Sequence, residues 1–136
     1  MPEPPTDRDI LAALAKEDFQ GPMWDRFAQD LATFGIGVMR GWIMSGRIYE
    51  ELRARNIHHS VGGGQWGALT LDEATTIAVE TTARAIVSYR DMMLLNGWWS
   101  PEDGDSITAS FITQCLIQFP LVYRWWVPGR RRREDH

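Results

Sequence analysis

The stretch 70-TLDEATTIAVETTARAIVSY-89 decides the fold class. Thr70 and Glu73 form the T-x-x-E pattern of a capping box, in which each side chain accepts a backbone N–H of the other at a helix start. Behind the cap, Leu71, Ala74, Ile77, Ala78, Ala85 and Tyr89 recur at helical spacing, with Ile86 alongside. The pattern predicts a helix from about Leu71 to about Leu94. Glu73, Glu80, Arg84 and Arg90 fall on its outer face. Glu80 precedes Arg84 by four residues, the favourable order for a helix-surface ion pair worth roughly 0.3 kcal/mol.

Upstream, residues 1–5 read as a Pro-rich lead. Thr6 caps a short helix to about Asp18, with Asp7 and Asp9 in its first turn, where the helix dipole favours acids. Ile10, Leu11 and Leu14 form its apolar stripe. Gly21 ends that segment, and Pro22 suits the first turn of the next helix. The lead and short helix occupy 1–21. The following helix is the longest, over about 22–55, with Trp24, Phe27, Leu31, Phe34, Val38, Trp42 and Tyr49 at spacings near 3.6. Gly35, Gly37, Gly41 and Gly46 interrupt it, each costing roughly 1 kcal/mol against Ala. They point to close helix packing or to a break near 35–46. A flexible Gly-rich loop is expected over 56–69. Its adjacent His58 and His59 point different ways and lack further ligands, so they read as solvated loop residues and no metal site is expected.

Downstream, 94-LLNGWWSPEDGDS-106 breaks the pattern, and a fourth helix starts near Ser106. Ile107, Phe111, Cys115, Phe119, Val122 and Trp126 mark one face; Ile112, Leu116 and Tyr123 mark another. Cys115 falls on the stripe and reads as a small core residue. Pro120 removes one backbone hydrogen bond and clashes with the Leu116 carbonyl, which predicts a kink or an end there. No β alternation is visible. The expected architecture is all-α: a compact bundle of about four helices, with the main domain at 22–126 and a basic tail at 127–136.

Composition narrows the function. A single cysteine excludes an internal disulfide and points to a reduced, cytoplasmic setting. The first residues lack the basic start and apolar core of a signal peptide. The most membrane-like run, 31-LATFGIGVMRGWIM-44, is short of the roughly 20 apolar residues that span a bilayer, and Arg40 interrupts it. Net charge is −4 over 136 residues, yet the last ten hold four arginines against two acids, leaving −6 on the remainder. An acidic body with a basic tail differs from the plain basic face of a DNA-binding domain. Seven tryptophans in this length place some at a surface or interface. No phosphate loop, dinucleotide fingerprint, HExxH, CxxC or GxSxG is present. Neither an enzyme nor a cofactor is expected.

The order of a capped helix (71–89), the turn 99-WSPEDGDS-106, the helix 107-ITASFITQCLIQFPLVYRWW-126 and an arginine run resembles region 2 of the sigma-70 family of bacterial RNA polymerase initiation factors. The short extracytoplasmic-function type is the most similar. Glu80 matches a Glu of the family's first motif helix, and Arg84-Ala85 match its Arg-Ala. Trp99, Pro101 and Gly104 stand where the family has the Phe, Pro and Gly of its turn. Ser106 and Ile107 match the start of the next helix, and Tyr123-Arg124 lie near its basic end. Thr75 and Thr76 replace the family's acid pair, and no counterpart of its second, promoter-reading domain follows.

The resemblance implies two working faces. The first helix would dock on the coiled coil of the polymerase's large subunit, with Glu73, Glu80 and Arg84 as contacts. The turn and second helix would handle the −10 promoter element and its melted strand. There Trp98, Trp99, Tyr123 and Trp125 would stack on bases, and Arg124, Arg130, Arg131, Arg132 and Arg133 would meet phosphates. Trp99 is expected to anchor the turn in the core, leaving Trp98 for an exposed contact. The alternative is a sigma-derived interaction module, homodimeric and without DNA binding, to which the tryptophan excess is suited.

Overall fold

The computed structural model describes residues 6–57, 69–97 and 104–134, with side chains described as far as Trp126. Among these residues every regular element is helical. The α-helices are α1 (Asp7–Ala15), α2 (Pro22–Ser45), α3 (Arg47–Ala54), α4 (Leu71–Ser88) and α5 (Ile107–Glu134). A π-helical segment, Tyr89–Leu95, continues α4. The expected all-α bundle is thus found, with five α-helices among the described residues where the sequence reading distinguished about four. The extra one arises at Gly46, whose left-handed backbone (φ 79°) divides the long second helix into α2 and α3.

The central helix is α4, flanked by α2 and α5. Its start is the capping box read from the sequence: Glu73 N donates to Thr70 Oγ1 (3.1 Å) and Thr70 N to Glu73 Oε1 (2.9 Å). Thr6 and Asp9 make the same box at α1. Along α4, Ala74, Ile77, Ala78, Ala85 and Tyr89 are buried as the spacing predicts, whereas Leu71 is exposed. Thr81 and Thr82 are buried between them. Their hydroxyls find no hydrogen-bond partner among the described residues.

On α2, Leu31, Gly35, Met39 and Ile43 face the core, continued on α3 by Ile48 and Leu52. Phe34, expected inside, is exposed, because the buried stripe follows four-residue steps one position away. Gly35 is where the bundle comes closest: a Cβ there would meet Phe111 Cε2 at 2.9 Å and Thr82 Cγ2 at 3.0 Å. Gly37 and Gly41 have nothing within 4 Å of such a Cβ, so the close packing expected of the glycines holds at Gly35 alone among the three.

On α5, both expected faces are buried, because the helix lies in a trough of the bundle: Phe111, Cys115, Phe119 and Val122 on one side, Ile112, Leu116 and Tyr123 on the other. The helix does not end at Pro120. Phe119, Pro120, Val122 and Tyr123 are all buried, and that packing carries the helix past one missing hydrogen bond. Burial pushes the Cys115 thiol up to about 12, with the Thr82 hydroxyl pulling weakly the other way. No helix among the described residues is long and apolar enough to cross a membrane.

Contacts remote in sequence tie α1 and the segment after it to the α4–α5 hairpin. Ile107 N donates to Asp7 Oδ2 (2.9 Å), so Asp7 satisfies an orphan amide in the first turn of α5. Arg90, expected on the outer face, instead donates from Nε to the Phe19 carbonyl (2.7 Å), with its guanidinium 5.9 Å from the Trp24 ring centre.

Candidate functional site

The hairpin formed by α4, the π-helical segment and α5 carries the candidate residues, and its register comes from polar contacts. Tyr89 Oη lies 2.8 Å from Ser110 Oγ, and Ser88 Oγ donates to Gln114 Oε1 at 3.0 Å. The Tyr89 and Phe111 rings meet edge to face at 5.6 Å. The two helices therefore run antiparallel, with the C-terminal end of α4 beside the first turns of α5.

The π-helical segment changes the surface. Its wider turn is closed by the Asn96 N to Asp91 O bond (3.2 Å), five residues apart, and it turns Met92 and Leu95 outward. Beside it a groove of about 580 Å³ opens between α4 and α5, with Ala83, Arg84, Val87, Ser88, Met92 and Gln118 among its lining. Val87 is 60% exposed and Met92 43%, so the groove presents apolar surface to solvent.

Glu80 and Arg84 sit on this edge of α4. Their side chains pair with each other (Nε–Oε1 3.2 Å), each about half exposed, and Arg84 lines the groove. In water such a pair adds under about 1 kcal/mol to stability, which leaves both charges available to a partner at little cost. Glu73 stands apart from them in chemistry, since its carboxylate closes the α4 capping box.

The expected nucleic-acid contacts separate. Tyr123 is 6% exposed, its ring 5.7 Å from that of Phe119, so it is a core residue and not a stacking platform. Trp125 is 73% exposed, the most open of the large apolar side chains among the described residues, and Arg124 beside it is exposed too. Trp126 is half-buried. The last turns of α5 carry Arg130, Arg131, Arg132 and Arg133 on helical backbone. Trp98 and Trp99 lie outside the described residues, as do His58, His59 and most of the Gly-rich loop. Among the described residues, no three His, Cys, Asp or Glu side chains gather as a metal site would require.

The exposed Ile117 and Leu121 escaped the sequence reading, which gave neither residue a place on a core face or a contact surface. A signal was present: residues 107–123 contain no Asp, Glu, Lys or Arg, although one side of the helix is open to solvent.

No protein-family model matches the chain, and no curated protein or solved structure was found to match it.

Proposed function

We propose that the chain is a sigma-like transcription protein that binds RNA polymerase core through the outer face of α4. The observation that carries this reading is the exposed Glu80–Arg84 pair beside an apolar groove, on the very helix to which the sequence resemblance gives polymerase docking. An apolar stripe flanked by both signs of charge is what an amphipathic helical partner, such as a strand of a coiled coil, recognises. A second arm of the reading assigns melted −10 DNA to the exposed Trp125 and Arg124, together with Trp98, Trp99 and the Arg130–Arg133 run.

The test is a pull-down with purified core polymerase at low ionic strength, followed by charge reversal. Wild-type chain is expected to retain polymerase, and Glu80→Arg or Arg84→Glu to weaken retention about tenfold or more, with helical content unchanged. Absence of retention by the wild type overturns the reading. Single-stranded −10 DNA, followed by fluorescence anisotropy, checks the second arm: Arg124→Ala and Trp125→Ala are each expected to weaken binding.

A further inference from the structure

We propose that α5 is also a homodimer interface, pairing antiparallel with α5 of a second copy about a two-fold axis near Ile117. The proposal starts from the uncharged run 107–123, about 25 Å of helix at 1.5 Å per residue. One side of this run is core. The other carries the exposed Ala109, Ile117 and Leu121 and the half-buried Thr113, continued by Trp125 with Arg124 beside it. Ile117 is 41% exposed, Leu121 51% and Trp125 73%. Isolated exposed apolar residues are ordinary, whereas a contiguous strip of them marks a contact surface.

Charge selects the occupant. Asp105 precedes the first turn of α5, twelve residues before Ile117. The arginines 130–133 begin thirteen residues after it, on helical backbone. Each lies about 18–20 Å from Ile117 along the axis. An antiparallel pair centred on Ile117 therefore sets Asp105, just before each helix, toward the arginine-rich end of the other. In the same register Thr113 faces Leu121 of the second copy and Ala109 faces its Trp125, small against large. A parallel pair would stack arginines on arginines. A two-fold axis makes the interface self-complementary, so both ends gain the same attraction. The dimer would cover Trp125 and so compete with DNA at that residue, but its formation requires neither polymerase nor DNA.

The test is the oligomeric state of the full chain by analytical ultracentrifugation, from micromolar to millimolar protein. A monomer–dimer equilibrium is expected, its dissociation constant raised about tenfold or more by Leu121→Glu. Because Leu121 is half exposed, the variant is expected to keep wild-type helicity; if it does not, Leu121→Ser is measured in its place. Orientation is read by cross-linking. Thr113→Cys chains mixed with Leu121→Cys chains are expected to form the mixed disulfide over either same-site product, with the buried Cys115 silent. A strict monomer, a dimer indifferent to both Leu121 variants, or a preference for same-site disulfides each overturns the proposal. Retention of polymerase by a strictly monomeric chain would leave the proposed function standing while this one falls.

Discussion

At the scale of single residues, Gly35 and Gly37 show how neighbouring glycines in one helix answer to different demands. Each removes helix propensity worth roughly 1 kcal/mol relative to Ala. At Gly35 the loss is offset by close approach, since Phe111 and Thr82 stand within 3.0 Å of where a Cβ would be. Neither neighbour yields easily: Phe111 is fully buried against Tyr89, and Thr82 is buried beside Cys115. Gly35→Ala is therefore expected to destabilise the chain by about 1–2 kcal/mol, overpacking outweighing propensity. Gly37→Ala enters open space and is expected to stabilise by up to about 1 kcal/mol. Urea unfolding of the two variants beside wild type checks both signs. Both were glycines within one helical pattern in the sequence, and only the position of Phe111, 76 residues away, tells them apart.

At the scale of elements, α5 divides what the sequence presented as one aromatic, basic cluster. Tyr123 and Trp125 are two residues apart, hence about 200° apart around a helix of 3.6 residues per turn. One is in the core and the other is in solvent. Tyr123→Ala is expected to cost about 3 kcal/mol or more, as for other large buried aromatics, while Trp125→Ala in dilute solution stays within about 0.5 kcal/mol. Thermal unfolding of the pair measures the contrast, and equal losses would contradict the burial seen here. The π-helical segment is the element least legible beforehand. Its sequence, 89-YRDMMLL-95, is an ordinary helical run, and nothing local signals the wider turn. Tertiary contacts supply the reason: Tyr89 is tied to Ser110 and Arg90 to the Phe19 carbonyl, which pins the start of the segment on two sides.

At the scale of the whole molecule, the core carries groups that lose their protons only at high pH. Burial pushes the Cys115 thiol up to about 12 from 9.0. Burial likewise pushes the Tyr89 phenol up to about 12 from 10.0, the Asp7 charge adding to it and the Ser110 hydrogen bond opposing. The folded chain thus holds protons that the unfolded chain has already released. Their contribution to stability is complete below the ordinary thiol value and falls as pH rises toward 12, by up to about 1.4 kcal/mol per pH unit for each group. Urea unfolding across that range is expected to show the fall, and Cys115→Ala to remove the thiol's share; a flat wild-type profile would sink the idea. By itself the sequence determined the helical class, the Thr70–Glu73 capping box, the Thr6 cap, most of the core stripes and the place of Cys115, because caps and apolar spacing are set within a few residues of chain. The glycines already pointed to a break near 35–46, found at Gly46; the continuation through Pro120, the choice of core over solvent for Tyr123, the inward turn of Arg90 and the outward turn of Leu121 were decided by tertiary structure. Each of these depends on packing against neighbours distant in the chain, and spacing along one helix does not contain that choice.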